Sequence, residues 1–294
     1  MRQTTLFSTD HSLQREYHVL SLRWTGFTPN LLCVEEGGGG GHGSVVEVSF
    51  PTELALDVSN EKYCIGRWDG QDHRPCPDNA RVTRFNQCDA CADDFIPDQQ
   101  CIFEPKCDGR SCLVEGHFEE SIGFCSRPHV VYLAFYGKNP KIGMSSGTRI
   151  RRRCIEQGAD AFALVTSTEG RREARRIEKQ LGKELGIRQS YSSRELLRLA
   201  RSSINRDEII GGYHQLSRDI ENIIEKSVKD LEFLSEYSAP IPLRSIPRET
   251  TTPGPHHGTA LGIKGRFLFY DSGGLSALNI GDLPSRRIHI RISG

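Results

Sequence analysis

The sequence contains no run of about 18 apolar residues, the length that a membrane-spanning helix requires. Its N-terminal stretch, MRQTTLFSTDHSLQREYHVL, also lacks the apolar core of a secretory signal peptide. Net charge is absent as well, because 38 Lys and Arg are matched by 38 Asp and Glu, so whole-chain charge indicates neither a nucleic-acid nor an acidic partner. With 36% hydrophobic residues among 294, these absences predict a soluble, cytoplasmic protein that has sizeable cores and does not contact membranes.

A phosphate-binding loop of the nucleotide-binding type is also missing. The glycine-rich stretch EEGGGGGHGS, residues 35–44, is not followed by the Lys-Ser/Thr pair and the helix that such a loop requires. We therefore interpret this stretch as a mobile hairpin loop between two strands.

The ten cysteines are the most informative residue type present. A reducing cytosol keeps thiols free, so we expect metal binding rather than disulfides. Eight cysteines fall into two groups of four, and each group could close one tetrahedral zinc site: Cys64, Cys76, Cys88 and Cys91, then Cys101, Cys107, Cys112 and Cys125. Four protein ligands leave no position for water, so we predict one or two structural Zn²⁺ ions rather than a catalytic one.

The two groups differ in how strongly their spacing indicates metal. The first contains a C-x2-C pair, whereas the second contains none, so His117 or His129 could replace one of its sulfurs. Pairing of cysteines across the two groups stays open, as does a cluster of buried reduced thiols. Cys33 and Cys154 stand alone in apolar runs, and we expect both in the core.

Apolar periodicity outlines the elements of an α+β protein. Strands are predicted at 17–24, 30–34, 44–50 and 53–57, and again in the C-terminal tail after a proline-rich link. Helices are predicted at 149–157, 169–185, 193–203 and 207–236. Because both ends of the chain are β, we expect the two ends to pack together.

A local excess of positive charge lies between Lys138 and Lys179, where eleven Lys and Arg face five Asp and Glu. Arg149 and Arg153 are four residues apart on one predicted helix, so they share a face that could clamp phosphate oxygens. Arg151 and Arg152 are further candidates for nucleic-acid contact. The alternative is a solvated basic face that binds nothing.

Glu178 lies beside the apolar stripe of Ala174, Ile177 and Leu181 in the helix predicted at 169–185. A carboxylate next to a core stripe can point into the edge of a cleft. The alternative is an exposed partner for Arg175 or Lys179.

The stretch VVY, followed by KIG and then by helices carrying an arginine and a glutamate, resembles the GIY-YIG endonuclease superfamily over residues 129–185. The resemblance implies a small three-stranded sheet with flanking helices. It also implies that Tyr132 is the general base, that Arg153 stabilises the phosphorane charge and that Glu178 binds one Mg²⁺ or Mn²⁺ ion. Lys141 stands in place of the second-motif tyrosine, where a lysine can help to ionise Tyr132, and Gln157 stands where many members carry histidine.

A longer resemblance covers most of the chain. The phrases YCIGRWDG, RPCP, QCDAC, VYLAFYG, KIGMSS, EQGAD and LGIKGRFLFYD are similar to the domain of unknown function 2797 family. This resemblance implies β segments at both ends, a cysteine-rich metal module and a GIY-YIG-like core. We divide the chain accordingly into an N-terminal β segment (1–59), a zinc module (60–128), the core (129–190), a helical extension (191–239) and a Pro-rich link with a C-terminal β segment (240–294).

Three functions agree with these features. The first is a divalent-metal-dependent phosphodiesterase that cleaves RNA or DNA, with Tyr132, Lys141, Arg153 and Glu178 as catalytic residues. In this reading Lys141 and the metal lower the pKa of Tyr132. The second is a zinc-stabilised module that binds nucleic acid without cutting it. The third is a structural or protein-interaction role for the helix at 207–236, with partners that the sequence does not identify.

Overall fold

The computed structural model describes residues 13–36, 44–83, 85–92, 109, 124–200, 204–234, 237 and 245–292. Over these residues the chain is a mixed α+β protein dominated by sheets, with strands in sheets of ten, four and two members. None of its described helices is both long enough and apolar enough to cross a membrane.

The strands are β1 (Leu13–Thr25), β2 (Thr28–Glu36), β3 (Val45–Ser49), β4 (Glu53–Tyr63), β5 (Arg67–Asp69), β6 (Asp72–Arg74), β7 (Arg81–Val82), β8 (His129–Tyr136), β9 (Asn139–Ser146), β10 (Ala161–Thr168), β11 (Glu232–Phe233), β12 (Arg248–Glu249), β13 (Gly254–Lys264), β14 (Phe267–Asp271), β15 (Leu275–Asn279) and β16 (Arg286–Ile292). The helices are α1 (Asp89–Ala92), α2 (Ile150–Gln157), α3 (Arg171–Glu184), α4 (Ser193–Ala200) and α5 (Arg206–Ile224). Short 3-10 turns lie at Phe124–Ser126, Gly147–Arg149 and Ile280–Asp282.

The large sheet joins the two ends of the chain. Its strand order is β12-β15-β14-β13-β4-β16-β1-β2-β3, with β7 paired to β4. The C-terminal strand β16 lies between β4 and β1 and is antiparallel to both. The expectation that the two ends pack together is therefore confirmed.

The connection from β3 to β4 shows that this sheet curls. In a flat sheet the two strands, four positions apart, would lie about 19 Å from each other. Residues 50–52 alone connect them, and this short link spans at most about 14 Å. The backbone of the link also contacts β13, where the Ala260 N–H donates to the Thr52 carbonyl at 2.7 Å. The sheet therefore bends toward closure around its apolar face.

The small sheet has the order β11-β10-β8-β9, and all its neighbours are antiparallel. All eight residues of the central strand β8 are buried. Side chains of a strand alternate between its two faces, so β8 needs apolar cover on both. Tyr132, Ala134 and Tyr136 pack toward the large sheet. The intervening residues, among them Leu133 and Phe135, pack with α3 and α5.

The helices bury the stripes that their periodicity predicts. Ala174, Ile177 and Leu181 of α3 and Ile209 and Ile220 of α5 are buried in the same core. Helix α2 begins at Ile150, not at residue 149, because residues 147–149 form a 3-10 turn. Cys33 and Cys154 are both fully buried, so their predicted place in the core is confirmed.

The prediction of a helix over 207–236 is wrong beyond residue 224. Glu225 adopts the left-handed conformation and ends α5, and its N–H donates to the Glu221 carbonyl. The chain then follows β10, where the Lys229 N–H donates to the Leu164 carbonyl at 2.8 Å. Burial of Leu234 against the large sheet accompanies this change of direction. Tertiary contacts thus override helical periodicity here.

The glycine-rich stretch lies largely outside the described residues, but the strands on either side of it, β2 and β3, pair as an antiparallel hairpin. The domain boundaries given above stay a prediction.

Candidate metal centre and candidate nucleic-acid cleft

The first cysteine group converges on one point. The Sγ atoms of Cys64, Cys76, Cys88 and Cys91 all lie within 4.8 Å of one another, and none of the four forms a disulfide. A zinc tetrahedron with Zn–S bonds near 2.3 Å has S···S edges of about 3.8 Å, and the Cys76 and Cys88 sulfurs lie 3.9 Å apart. The donor set therefore fits a metal ion such as zinc.

Three short chain segments bring these sulfurs together. Cys64 follows β4, Cys76 follows the β5–β6 hairpin, and the C-x2-C pair lies at the start of α1. Backbone N–H groups of Gly66 and Cys88 point at the Cys64 sulfur, at 3.4 and 3.3 Å. Such contacts favour a thiolate, the form that binds metal.

Burial and hydrogen bonds act differently on three of these thiols. Burial raises the pKa of Cys64 and of Cys91. Burial would also raise the pKa of Cys76, but backbone hydrogen bonds from Ala80 and Asp78 outweigh it, so the pKa of Cys76 is lowered. A bound cation would deprotonate all four in the same way that it does in other thiolate sites.

Of the second cysteine group, Cys101, Cys107 and Cys112 lie outside the described residues. Cys125 lies in the 3-10 turn before β8 and is partly exposed. The second zinc site therefore stays a prediction. The first group closes on its own sulfurs, without a ligand from the second group among the described residues.

Tyr132 of β8 and Lys141 of β9, the two strand residues of the predicted cleft, are both buried, at 1% and 7% exposure. Tyr132 pairs across the strands with Gly143, and its ring lies over the glycine backbone. A Cβ atom at Gly143 would approach the Tyr132 Cζ and hydroxyl oxygen to 2.7 and 2.8 Å, closer than real side chains allow. The KIG motif thus contains glycine because the tyrosine ring occupies its side-chain space.

Gln157, the last residue of α2, connects these two groups. Its Oε1 accepts a hydrogen bond from the Tyr132 hydroxyl at 3.1 Å and another from Lys141 Nζ at 2.6 Å. Lys141 Nζ also lies 5.6 Å from the centre of the Tyr132 ring. The sequence singled out Gln157 only as a departure from a family pattern, whereas the structure gives it the central hydrogen-bonding position.

Burial sets the protonation of both strand residues. It lowers the pKa of Lys141 to about 8, helped by the positive charge of Arg153. Burial raises the pKa of Tyr132 well above its ordinary value, Cys154 adds to this rise, and Arg153 opposes it. Lys141 alone therefore does not lower the pKa of Tyr132, because removal from water outweighs the nearby positive charge, and the expected effect of a bound metal ion stays a prediction.

Arg153 and Glu178 complete the predicted set. Arg153 is exposed, on the same helix as Gln157. Glu178 of α3 is only 4% exposed, and its charge acts on both Tyr132 and Lys141. It forms a buried ion pair with Arg175, one turn earlier on α3. Glu178 is therefore buried, in agreement with the prediction that it points inward. It also pairs with Arg175, as the alternative predicts, but this pair is buried and not exposed.

Three further arginines, one in the 3-10 turn before α2 and two in α2, are exposed and pair with carboxylates. Arg149 lies 3.3 Å and Arg152 3.0 Å from Glu156, while Arg151 pairs with Glu232 of β11 at 2.7 Å. Exposed pairs of this kind are weak and exchange readily with solvent or ligand. The side chains therefore form a basic surface around α2. The ion pair with Glu156 neutralises part of the charge that Arg149 adds to this surface.

One structural pair went unnoticed in the sequence. Asp160 is 3% exposed and forms an ion pair with Lys264 at the end of β13. Its Oδ2 also accepts from the Gly137 N–H at 2.7 Å. The phrases EQGAD and LGIKGRFLFYD, which carried the family resemblance, thus meet in space, and charge complementarity between them was the signal that could have shown it.

Comparison with known proteins assigns the chain to a family. The sequence model of the family described as "Protein of unknown function (DUF2797)" matches residues 52–287, well over half of the chain. No curated protein and no solved structure matches it. The match includes both the cysteine group and the cleft, and the GIY-YIG resemblance stays a prediction beside it. The chain belongs to the DUF2797 family.

Proposed function

We propose that the protein binds nucleic acid in the cleft between α2 and the small sheet and hydrolyses a phosphodiester there. The observation that carries the proposal is the convergence of Tyr132, Lys141, Arg153 and Glu178, which come from four different elements. The charges of Arg153 and Glu178 both act on Tyr132 and on Lys141, and Gln157 accepts hydrogen bonds from Tyr132 and Lys141. Groups such as Tyr132 and Lys141, whose pKa values are shifted by burial and by nearby charges, are typical of functional sites.

The strand topology also supports a GIY-YIG-like core. Strands β9, β8 and β10 form an antiparallel unit with β8 at its centre. Helix α2 lies between β9 and β10 in the chain, and α3 follows β10. This is a small three-stranded unit with flanking helices, to which β11 adds a short fourth strand.

The pKa values favour Lys141 over Tyr132 as the group that takes the proton from water. At pH 7 a lysine with a pKa of about 8 is neutral in roughly one molecule in ten. A phenol with the ordinary pKa near 10 is ionised in about one molecule in 10³ at that pH, and burial of Tyr132 lowers this fraction further. Tyr132 and Gln157 then act as positioning residues that hold Lys141 Nζ in place.

Arg153 is the group placed to bind the phosphate. Its side chain is exposed, and its planar guanidinium can offer two donors to two phosphate oxygens. In the transition state the same contact neutralises the added negative charge.

Glu178 would hold the divalent ion that the GIY-YIG resemblance implies. A carboxylate oxygen is the donor type that Mg²⁺ and Mn²⁺ prefer, and a single carboxylate makes a weak site that substrate oxygens must complete. When bound, the ion would supply charge stabilisation at the leaving oxygen. Arg175 competes for the same carboxylate, so metal binding requires the ion pair to loosen.

The second candidate is a module that binds nucleic acid without cutting it. The buried Arg175–Glu178 ion pair favours this candidate, because Glu178, the predicted metal ligand, already has a charged partner. A protein-interaction role for α5 has less support, since its apolar stripe is buried in the chain's own core.

The test is a cleavage assay on purified protein with Mg²⁺ or Mn²⁺ and with labelled single-stranded, duplex and hairpin RNA and DNA. Metal-dependent cleavage of any of these substrates would support the enzyme. Salt-sensitive binding without cleavage would support the binding module, and the absence of both would remove both proposals.

A further inference from the structure

The turn between β13 and β14 brings the large sheet against the cleft. Gly265 lies in this turn with a positive φ, and a Cβ atom there would approach the Gln157 carbonyl carbon to 2.8 Å. Only glycine permits so close an approach. On one side of Gly265, Lys264 forms the ion pair with Asp160 that fixes the turn to the end of α2. On the other side stands Arg266.

Arg266 is partly buried and poorly satisfied. Its Nε is removed from solvent and has no hydrogen-bond partner among the described residues. Its Nη2 reaches only Ser193 Oγ, at 3.5 Å, and the guanidinium lies 5.5 Å from the centre of the Phe267 ring. No carboxylate of the described residues pairs with it, so none of them neutralises its charge.

The surroundings of Arg266 are positive. Its charge and that of Arg153 both act on Lys141, so three cations from three elements surround the same region. Three acids of the surrounding elements already form ion pairs: Glu178 with Arg175, Asp160 with Lys264 and Glu195 with Arg188. Like charges held together in this way repel one another unless an anion lies among them.

We propose that Arg266 is a phosphate-binding residue of the cleft, through which the C-terminal β segment extends the nucleic-acid surface beyond the core. The inference rests on the proposed nucleic-acid function and adds a contact that the GIY-YIG resemblance does not supply. The bound backbone would then pass from Arg153 to the turn after β13, beside the first residue of α4.

The test compares Arg266→Gln with the matched control Arg206→Gln. Arg206 also stacks on an aromatic ring, that of Phe233, but β11 lies at the edge of the small sheet opposite to β9. The probes are labelled mixed-sequence oligonucleotides, single-stranded and duplex, and affinity is measured over a range of salt concentrations. Arg266→Gln should reduce the slope of log affinity against log salt by about 0.7 on the single strand and about 0.9 on the duplex, the value of one phosphate contact.

A second readout separates this role from a structural one. Because the charge of Arg266 lowers the pKa of Lys141, Arg266→Gln should raise that pKa, whereas Arg206→Gln should not. The pH dependence of Lys141 acetylation, followed by mass spectrometry, measures this change without any nucleic acid. Arg266→Lys should keep most of the salt slope and the low Lys141 pKa.

The outcomes are distinct. A lower slope together with a raised Lys141 pKa supports the inference. Wild-type binding with equal slopes for both glutamine variants overturns the inference and leaves the proposed function intact. If the wild-type protein binds neither oligonucleotide, the proposed function fails and the inference falls with it.

Discussion

Lys264, at the end of β13, forms an ion pair with Asp160, the residue that precedes β10, and so joins the large sheet to the small one. The aspartate is almost fully buried, and the backbone N–H of Gly137 binds its second oxygen. The arrangement depends on a negative charge between a lysine and a peptide N–H, both held in place by the folded chain.

Removal of that charge should destabilise the protein. Asp160→Asn leaves the Lys264 ammonium without its partner, so we expect the free energy of unfolding to fall by about 3 kcal/mol. Urea denaturation measures this. The control is Glu232→Gln, which breaks the exposed pair with Arg151 and should change stability by less than about 1 kcal/mol. Equal effects of the two variants would show that the buried Asp160–Lys264 pair contributes no more to stability than the exposed pair.

The four-cysteine group should hold zinc. Protein purified without chelator is expected to contain at least one zinc ion per chain by elemental analysis, and two if the second cysteine group also binds zinc. Cys88→Ser should lose this ion and unfold the surrounding segment, since structural zinc contributes folding energy directly. Cys33→Ala, a change at a buried cysteine outside the group, should keep the zinc. Substantially less than one zinc in the wild-type protein would contradict the assignment.

Nucleic-acid affinity should depend steeply on salt, because each phosphate contact releases counterions. Replacing Arg149 and Arg153 together by glutamine should reduce the log–log slope by roughly two contacts, or about 1.8 on duplex. The matched control replaces Arg15 and Arg23, two exposed arginines of β1 that also pair with glutamates. An equal loss in the control would mean that the charge acts through the whole protein and not through the cleft.

Cleavage should depend on Lys141 more than on Tyr132. Lys141→Met removes the proposed base and should abolish cleavage. Tyr132→Phe keeps the ring and deletes one hydrogen bond to Gln157, so a loss nearer tenfold is expected. The control is Tyr136→Phe on the same face of β8. If Tyr132→Phe is as inactive as Lys141→Met, the tyrosine is the base after all.

Two further variants test the charges at the same site. Glu178→Gln should abolish cleavage and leave binding nearly intact, since it removes the metal's carboxylate together with a charge that repels phosphate. Arg153→Lys should lose much of the rate, because an ammonium cannot form the bidentate contact. For both variants, the single-turnover cleavage rate and the affinity for nucleic acid are measured separately.

The buried Lys141 also predicts a pH effect on stability. Its pKa is about 8 in the folded protein and near 10.5 in the unfolded chain, so the unfolded chain binds more protons between these values. Stability from this group therefore rises with pH across that window, by about 3 kcal/mol in total. Relative to wild type, Lys141→Met should lose about that much stability between pH 8 and 10.5. A difference that does not change with pH would show that Lys141 is not desolvated.

Short patterns along the sequence were sufficient to predict much of the structure of this protein. The C-x2-C pair indicated a metal site, alternation placed the strands at both ends, and the stripe at spacings of three and four placed α3. Each of these signals depends on neighbours within one or two turns of a helix or a few residues of a strand, and such neighbours are visible in a linear sequence.

Tertiary contacts decided the rest. The end of α5 at Ile224 is caused by the edge of β10, which takes up the backbone hydrogen bonds of the chain that follows. The pKa order of Lys141 and Tyr132 follows from burial between two sheets and cannot be read from residue types alone. Asp160 and Lys264, 104 residues apart, became partners only because the curled sheet returns to α2. Burial and long-range approach are properties of the whole packed chain, so local pattern did not contain them.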